Sequence, residues 1–141
     1  MSSEEVLRRL RLFLLVLSSL LFAGTILELV LVKHTGDVVQ WLAFALAGIG
    51  LFSTVVVLAR PRRATITVLR WCLLLVIVGS MFGIYEHVSN NIAFEREIQP
   101  RSTLSHLIWK GLSGANPLLA PGTLAVAALL SLAATYEFSI D

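Results

Sequence analysis

Four long apolar runs constrain the fold of this chain more than any other feature of its sequence. They cover residues 12–32, 38–59, 66–85 and 118–136. Each is close to the roughly 20 residues that a helix needs to cross a hydrocarbon core of about 30 Å. Membrane-crossing β-strands are shorter and alternate apolar with polar residues. Because backbone groups inside a bilayer must find partners within the protein, the runs predict four membrane-spanning helices.

The composition agrees with this interpretation. Of the residues, 57% are hydrophobic and 14% are charged, whereas soluble domains average about 45–50% apolar and roughly 25% charged residues. A soluble core of this size could not cover so much leucine, valine and alanine. The chain is too apolar for a disordered segment, and its single cysteine, Cys72, excludes a disulfide scaffold. We therefore predict an all-α fold in which residues 1–141 form one integral-membrane four-helix bundle.

The first run has some features of a secretory signal peptide, since three arginines within residues 8–11 precede it. An apolar signal core typically measures about 7 to 15 residues. Here the apolar stretch continues past Gly24 to Val32. We therefore expect an uncleaved first span.

Basic residues predict the orientation of the spans. Three arginines precede the first run within residues 8–11, and three more lie within residues 60–63, between the second and third runs. Short basic segments collect on the cytoplasmic side of membranes. We therefore expect a multi-pass protein of the bacterial inner (plasma) membrane with both termini in the cytoplasm. Aromatic residues fall where membrane boundaries are expected: Trp41 and Tyr85 outside, Trp71 and Tyr136 inside.

The third connection, residues 86–117, is much longer than the other two and lies on the outer side in this topology. Residues 103–113 within it are predicted to form a short amphipathic helix on the outer leaflet. The alternative is a docking surface for a partner. The apolar residues that recur there at helical spacing are Leu104, Leu107, Ile108 and Leu112.

Small residues indicate where the helices pack against one another. Lipid provides no hydrophobic drive for helix association, so close approach depends on side chains that leave room. Gly79 and Gly83 form a GxxxG element in the third span, and Ala43 and Ala47 share one stripe of the second. We expect these residues to pack inside the bundle, with dimerisation or a chance occurrence as alternatives.

Ionisable residues in or beside the spans form the candidate site, because charge inside a membrane is expensive. Glu28 lies near the outer end of the first span. Glu86 and His87 follow Gly83 at i+3 and i+4, so they border the close-packing face of the third span. Since the first and third spans run in the same direction, Glu28, His34, Glu86 and His87 are all predicted to lie near the outer boundary.

This group could act in several ways. Imidazole and carboxylate side chains bind divalent metals, relay protons, or hold a haem. The spacing contains no HExxH, no paired CxxC and no CxxCH motif, so we predict neither a metal nor another cofactor. The simplest interpretation is a hydrogen-bonded polar cap that closes the outer mouth of the bundle. A proton-linked or substrate site is the alternative.

Three other polar segments receive structural interpretations. Residues 95–97 alternate acidic and basic side chains and are expected to be solvated. His106 lies beside the apolar stripe of the loop helix and is expected at the membrane interface. Arg70 is expected to extend to the cytoplasmic boundary, with an internal pair to Glu137 as the alternative.

No motif of an enzyme is present. The sequence lacks the GxSxG element of serine hydrolases and the glycine-rich loops that bind phosphates. The turn at residues 116–122, NPLLAPG, resembles that of small bacterial four-span inner-membrane proteins, a group with no assigned activity. The resemblance therefore implies a fold and a location but no reaction.

We accordingly expect a non-enzymatic accessory or scaffolding subunit that contacts a larger complex or an extracytoplasmic partner. The expected partners are the lipid bilayer and a membrane protein or a second copy of the chain. Nucleic acid is not expected, because the net charge of +2 includes no basic and aromatic stripe. The alternative is a small proton- or ion-linked transporter or ligand-binding bundle that uses the Glu and His cluster. A redox subunit is a third, weaker hypothesis.

Overall fold

The computed structural model describes residues 2–36 and 38–136, and this part of the chain is helical without strands. Three of its helices are long and apolar enough to cross a membrane, and a fourth is apolar but only 16 residues long. The predicted all-helical fold with membrane-length helices is thus confirmed. The helices are α1 (Ser3–Leu31), α2 (Val38–Ala59), α3 (Arg63–Ile98), α4 (Leu104–Ser113) and α5 (Leu119–Ala134).

The helix ends follow from local sequence. The Ser2 side chain begins α1 by accepting a hydrogen bond from the Glu5 amide at 3.2 Å. The α1 helix is followed by Lys33, whose φ of 53° lies in the left-handed region that stops a helix. Both α2 and α3 end just before a residue that precedes proline, Pro61 or Pro100, because a proline disfavours the helical conformation in the residue ahead of it.

The α3 helix is longer than the sequence suggested. It continues over residues 86–98, which we had assigned to the outer connection. These residues are polar, so they carry no membrane signal, but nothing in them breaks a helix before Pro100. With 36 residues, α3 measures about 54 Å at 1.5 Å per residue, well beyond a hydrocarbon core of about 30 Å.

The short helix α4 lies antiparallel to this distal part of α3. Glu95 of α3 contacts His106 of α4, and Asn91, one turn earlier in α3, contacts Gly111, about one turn later in α4. A Cβ atom on Gly111 would lie 3.0 Å from Cγ1 of Ile92, so glycine permits the close approach. The axis of α4 therefore runs alongside that of α3, a helix of membrane-crossing length. A helix flat on the outer leaflet would instead lie across the axis of α3, so this packing does not favour that position.

The four longer helices pack side by side. α1 and α3 each contact α2 and α5, so α1 and α3 stand diagonally opposite each other. Large apolar side chains cover the outside, as lipid contact requires: Leu20, Phe52, Trp71 and Val78 are examples. Between the helices lies an apolar core whose largest fully buried members are Phe22, Leu69, Leu73, Leu124, Val57 and Val76.

The small residues singled out from the sequence face other helices of the same chain. A Cβ atom on Gly79 would overlap the side chain of Leu46 on α2. A Cβ atom on Gly83 would lie 3.2 Å from Cβ of Pro121 on α5. Ala47 is fully buried, and Ala43 is half-buried. Gly79, Gly83 and Ala47 therefore lie at contacts within the bundle, whereas Ala43 lines a cavity described below.

Arg70 reaches the end of α5. Its guanidinium donates hydrogen bonds to the backbone oxygen and the hydroxyl of Thr135. The side chain itself is exposed, as expected for a long cationic residue near a helix end. The alternative partner, Glu137, lies outside the described residues.

Candidate functional site

A cavity of about 400 Å³ opens at the end of the bundle where α1 ends and α2 begins. We call this the outer end, following the orientation predicted from the arginines, and we call the cavity the outer cavity. Its wall comes from α1, α2, α3, α5 and the α4–α5 connection. Ligand pockets typically measure about 300–1,000 Å³. The polar residues in its lining are Glu28, His34, Gln40, Ser80, Glu86, His87, Asn90 and Asn116.

The four candidate site residues all line this cavity. Glu28 comes from α1, His34 from the α1–α2 connection, and Glu86 and His87 from α3. Each is half-buried. The rings of His34 and His87 are stacked, with centroids 6.3 Å apart and planes inclined by 24°. His34 and His87 are 53 positions apart in sequence, and they meet because the α1–α2 connection and α3 both line the same space.

The inner side of the cavity is apolar and closed. Leu29, Leu46 and Leu124 line it, and all three are almost fully buried. Gly79 and Ala120 also belong to the lining, and Gly79 lets Leu46 pack closely against α3 there. The cavity thus has polar groups toward its mouth and an apolar surface at its base, which is the usual character of a small-molecule site.

Ser80 is the polar group that lies deepest in the molecule among those lining the cavity. Only 1% of the residue is exposed, and its Oγ has no hydrogen-bond partner in the described part of the chain. Other serines in these helices donate to the carbonyl four residues earlier, as Ser18 does to Leu14 at 2.7 Å. An unpaired buried polar group costs about 1–3 kcal/mol. Ser80 therefore brings an unsatisfied hydroxyl to the wall of the cavity.

The sequence carried a signal for Ser80 that our interpretation missed. Ser80, Gly83 and His87 recur at i, i+3 and i+7, so they share one face of α3. The GxxxG element at Gly79 and Gly83 predicts close packing, but it also contains the Ser80 hydroxyl. That hydroxyl lies on the face that Gly83 and His87 share.

His87 has a second unpaired atom. Its Nδ1 is buried without a hydrogen-bond partner among residues 2–36 and 38–136. Burial lowers the pKa of the His87 imidazole, and the neighbouring His34 lowers it further, while the backbone of Asn116 and Pro117 and the Glu86 carboxylate act in the opposite direction. The ring is therefore neutral at pH 7. A neutral imidazole donates one hydrogen bond and accepts another.

The outer cavity carries negative charge. Glu28 and Glu86 contribute two carboxylates, and the lining described by the structure includes no lysine or arginine. Among the described residues, no group of three or more His, Cys, Asp or Glu side chains is arranged to hold a metal ion. The two carboxylates suit the wall to hydrogen-bond donors and positive charge.

Asn91 holds one side of the cavity in place. Its Nδ2 donates to the carbonyls of Gly111 and Asn116, both at 3.0 Å, and its Oδ1 accepts from the Asn116 amide at 2.8 Å. The residue is 2% exposed. Because Asn116 lines the cavity, the buried amide of Asn91 joins α3, α4 and the cavity wall.

The expectation that residues 95–97 are solvated is wrong for Glu95. This carboxylate is 8% exposed, and its Oε1 lies 2.8 Å from Nε2 of His106. His106 therefore pairs with α3 rather than standing alone at an interface. The sequence could not show this, because both burials depend on α4 folding back along α3. Arg96 and Glu97 are exposed as expected.

Comparisons with models of protein families, with curated proteins and with solved structures find no match for this chain. The resemblance of residues 116–122 to small bacterial four-span proteins stays a prediction. The proposals below therefore depend on the residues of this chain alone.

Proposed function

We propose that this chain is a non-enzymatic, four-span protein of the bacterial inner membrane that binds a small ligand in the outer cavity. Both termini lie in the cytoplasm. The observation that carries the ligand-binding function is the Ser80 hydroxyl, which is buried in the cavity wall without a partner.

The fourth span is α5. This helix packs along α1 and α3, and its outward side chains Val126 and Leu129 are apolar and exposed. Its 16 residues rise about 24 Å, and a slightly short span is accommodated by local thinning of the bilayer. The clustered arginines at residues 8–11 and 60–63 support a cytoplasmic location for the start of α1 and for the α2–α3 connection. The end of α5 lies beside the start of α1 at the same end of the bundle.

Ligand binding accounts for the site better than a self-contained polar cap. In a polar cap, the side chains would satisfy each other's hydrogen-bonding groups. Here Ser80 Oγ and His87 Nδ1 are buried without partners in the described part of the chain, and both residues belong to the lining of about 400 Å³ of space. An occupant that bonds to these atoms removes their desolvation cost.

The inner half of the bundle favours binding over free passage. Phe22, Leu69 and Leu73 fill the space between the helices without exposure. A solute could move from the outer cavity to the cytoplasm only if the helices separated. The transporter form of the hypothesis therefore requires a second conformation, whereas binding requires only the one described.

Access to the cavity is tested with cysteines in a Cys72→Ala background. We expect Ser80→Cys to react with the small neutral reagent methyl methanethiosulfonate, because the cavity admits small molecules. Ser131→Cys is the matched control, since Ser131 is equally buried but lies in the packed inner half. Equal protection of both cysteines in the folded protein would contradict an open cavity and with it the proposed function.

The topology is tested with an impermeant maleimide. We expect Ser105→Cys, on the exposed side of α4, to react in intact spheroplasts of a bacterial host. Ser2→Cys should react only in inverted vesicles. Labelling of both cysteines from the same side would exclude three spans between Ser2 and Ser105 and with them the proposed topology.

An accessory subunit is the second candidate function, and α4 favours it. Residues 86–98 extend about 20 Å beyond the apolar run of α3, and α4 packs along them. Leu104, Ile108 and Leu112 on α4 stay exposed, as expected for a surface that contacts an extracytoplasmic protein. Purification from native membranes in mild detergent should then yield a stoichiometric companion that Ile108→Glu releases. Elution of the wild-type chain alone would count against this function.

A further inference from the structure

We propose that the outer cavity selects an amphiphilic organic cation, such as a primary alkylammonium, with its charged group between Glu28 and Glu86 and its apolar part against the leucines at the base. This inference rests on the proposed function and names its ligand class.

The sign of the charge follows from the lining. Glu28 on α1 and Glu86 on α3 approach the cavity from diagonal helices, while the described lining contains no lysine or arginine. The imidazole side chains of His34 and His87 carry no negative charge and no permanent positive charge. Charges interact more strongly away from bulk water. An anion in this space would meet two like charges, whereas a cation would meet two opposite ones.

The hydrogen-bonding groups of the cavity fit an ammonium group. An ammonium has three donors and no acceptor. The two carboxylates accept hydrogen bonds. Charge-assisted hydrogen bonds of this kind are about twice as strong as neutral ones. The wall thus offers acceptors where the ligand class supplies donors.

The base of the cavity argues against an inorganic ion. Calcium and magnesium require six or more oxygen ligands, in part from water. Leu29, Leu46 and Leu124 line the deeper part of this cavity and supply none. A hydrocarbon chain uses this surface, and each buried methylene is expected to strengthen binding about fourfold. The ligand therefore needs both a cationic and an apolar part.

The experiment measures protection of a cysteine inside the cavity. Ala120→Cys in the Cys72→Ala background places a thiol on the wall and leaves Glu28, Ser80 and Glu86 intact. The protein is reconstituted in neutral phosphatidylcholine nanodiscs, and its reaction rate with methyl methanethiosulfonate is measured. Three probes of equal chain length compete with the reagent: hexylammonium, 1-hexanol and hexanoate.

We expect hexylammonium to halve the labelling rate at a concentration at least tenfold below that needed for 1-hexanol, and hexanoate to give no protection. Glu28→Gln with Glu86→Gln should remove the advantage of hexylammonium. Glu97→Gln, an exposed carboxylate outside the cavity, should leave it unchanged. Ser105→Cys on α4 controls for effects of the probes on the reagent, and its labelling should not respond to any of them.

The outcomes separate this inference from the proposed function. Equal protection by hexylammonium and 1-hexanol, or stronger protection by hexanoate, overturns the cation class but leaves a ligand-binding cavity. Labelling that none of the three probes slows also overturns the class. Failure of the neutral reagent to reach either Ala120→Cys or Ser80→Cys overturns the proposed function itself. Unchanged labelling of the glutamine variants by the neutral reagent shows that their cavity is intact.

Discussion

In the inner half of the bundle, Phe22, Leu69 and Leu73 fill the space between the helices, and the buried hydroxyls of Thr54 and Ser131 lie 3.3 Å apart and bond to each other. In the outer half, the same helices line about 400 Å³ of space, and the hydroxyl of Ser80 has no partner among the described residues. One half satisfies its polar groups internally. The other half leaves them available.

The difference indicates where stability and binding are located. Close packing and paired hydroxyls contribute to the free energy of unfolding in the absence of any ligand. Unpaired buried groups reduce it, and natural proteins tolerate such groups mainly at functional sites. We therefore expect substitutions in the two halves to have opposite consequences for stability and for ligand occupancy.

The largest effect is expected from removing the aromatic ring at the centre of the inner half. Phe22→Ala leaves a cavity between closely packed helices and should lower the free energy of unfolding by about 3–5 kcal/mol. Phe52→Ala is the control, because Phe52 is 73% exposed on the outer surface of α2. Reversible unfolding in mixed micelles measures both. Equal losses for the two variants would mean that the inner half is not the stable part of the bundle.

Hydroxyl removal should give a smaller effect of opposite sign in the two halves. Ser131→Ala breaks the bond to Thr54 and should cost about 0.5–1.5 kcal/mol. Ser80→Ala removes an unpaired buried group, so the ligand-free protein should be unchanged or more stable by up to about 1 kcal/mol. The same unfolding assay compares them. If Ser80→Ala destabilises the protein as much as Ser131→Ala, then the Ser80 hydroxyl already has a partner.

The smallest effect is expected from pH. The pKa of His87 in the folded protein lies below its ordinary value of 6.5, mainly because the ring is buried. The unfolded chain therefore takes up this proton more readily, so the free energy of unfolding should fall as pH decreases through about 6.5. Above that pH, the contribution is constant because the ring is neutral in both states.

His87→Gln isolates this contribution from those of the neighbouring His34 and Glu86, which also face the site. The fall in stability between pH 7 and pH 5 should be shallower in the variant than in the parent. Unfolding midpoints measured across this range in the same micelles provide the comparison. A steeper dependence in the variant would reverse the inferred sign.

The sequence predicted the parts of this molecule that depend on periodicity. Apolar length predicted helices, and the i+3 and i+4 spacing from Gly83 placed Glu86 and His87 on an inward face. The orientation of spans one and three then brought Glu28 to the same end. These inferences need only helix geometry, which a single sequence contains.

The parts that depend on contacts between distant segments were not predictable in this way. Residues 86–98 are polar, so membrane-based reasoning ended the third helix at Tyr85, although α3 continues to Ile98. The burial of Glu95 follows from the docking of α4, which no local pattern encodes. The cavity is lined by helices that are distant in sequence, and its shape depends on their packing rather than on periodicity.

The unbroken length of α3 has a mechanical consequence. One continuous helix carries Ser80 and His87 in the cavity wall and, one turn beyond, Asn91, whose amide grips the Gly111 carbonyl and both backbone groups of Asn116. A displacement of α4 is thus transmitted through Asn91 to Asn116 in the wall of the outer cavity. The segment before α5 can move away from α3 only by breaking the two hydrogen bonds between Asn91 and Asn116.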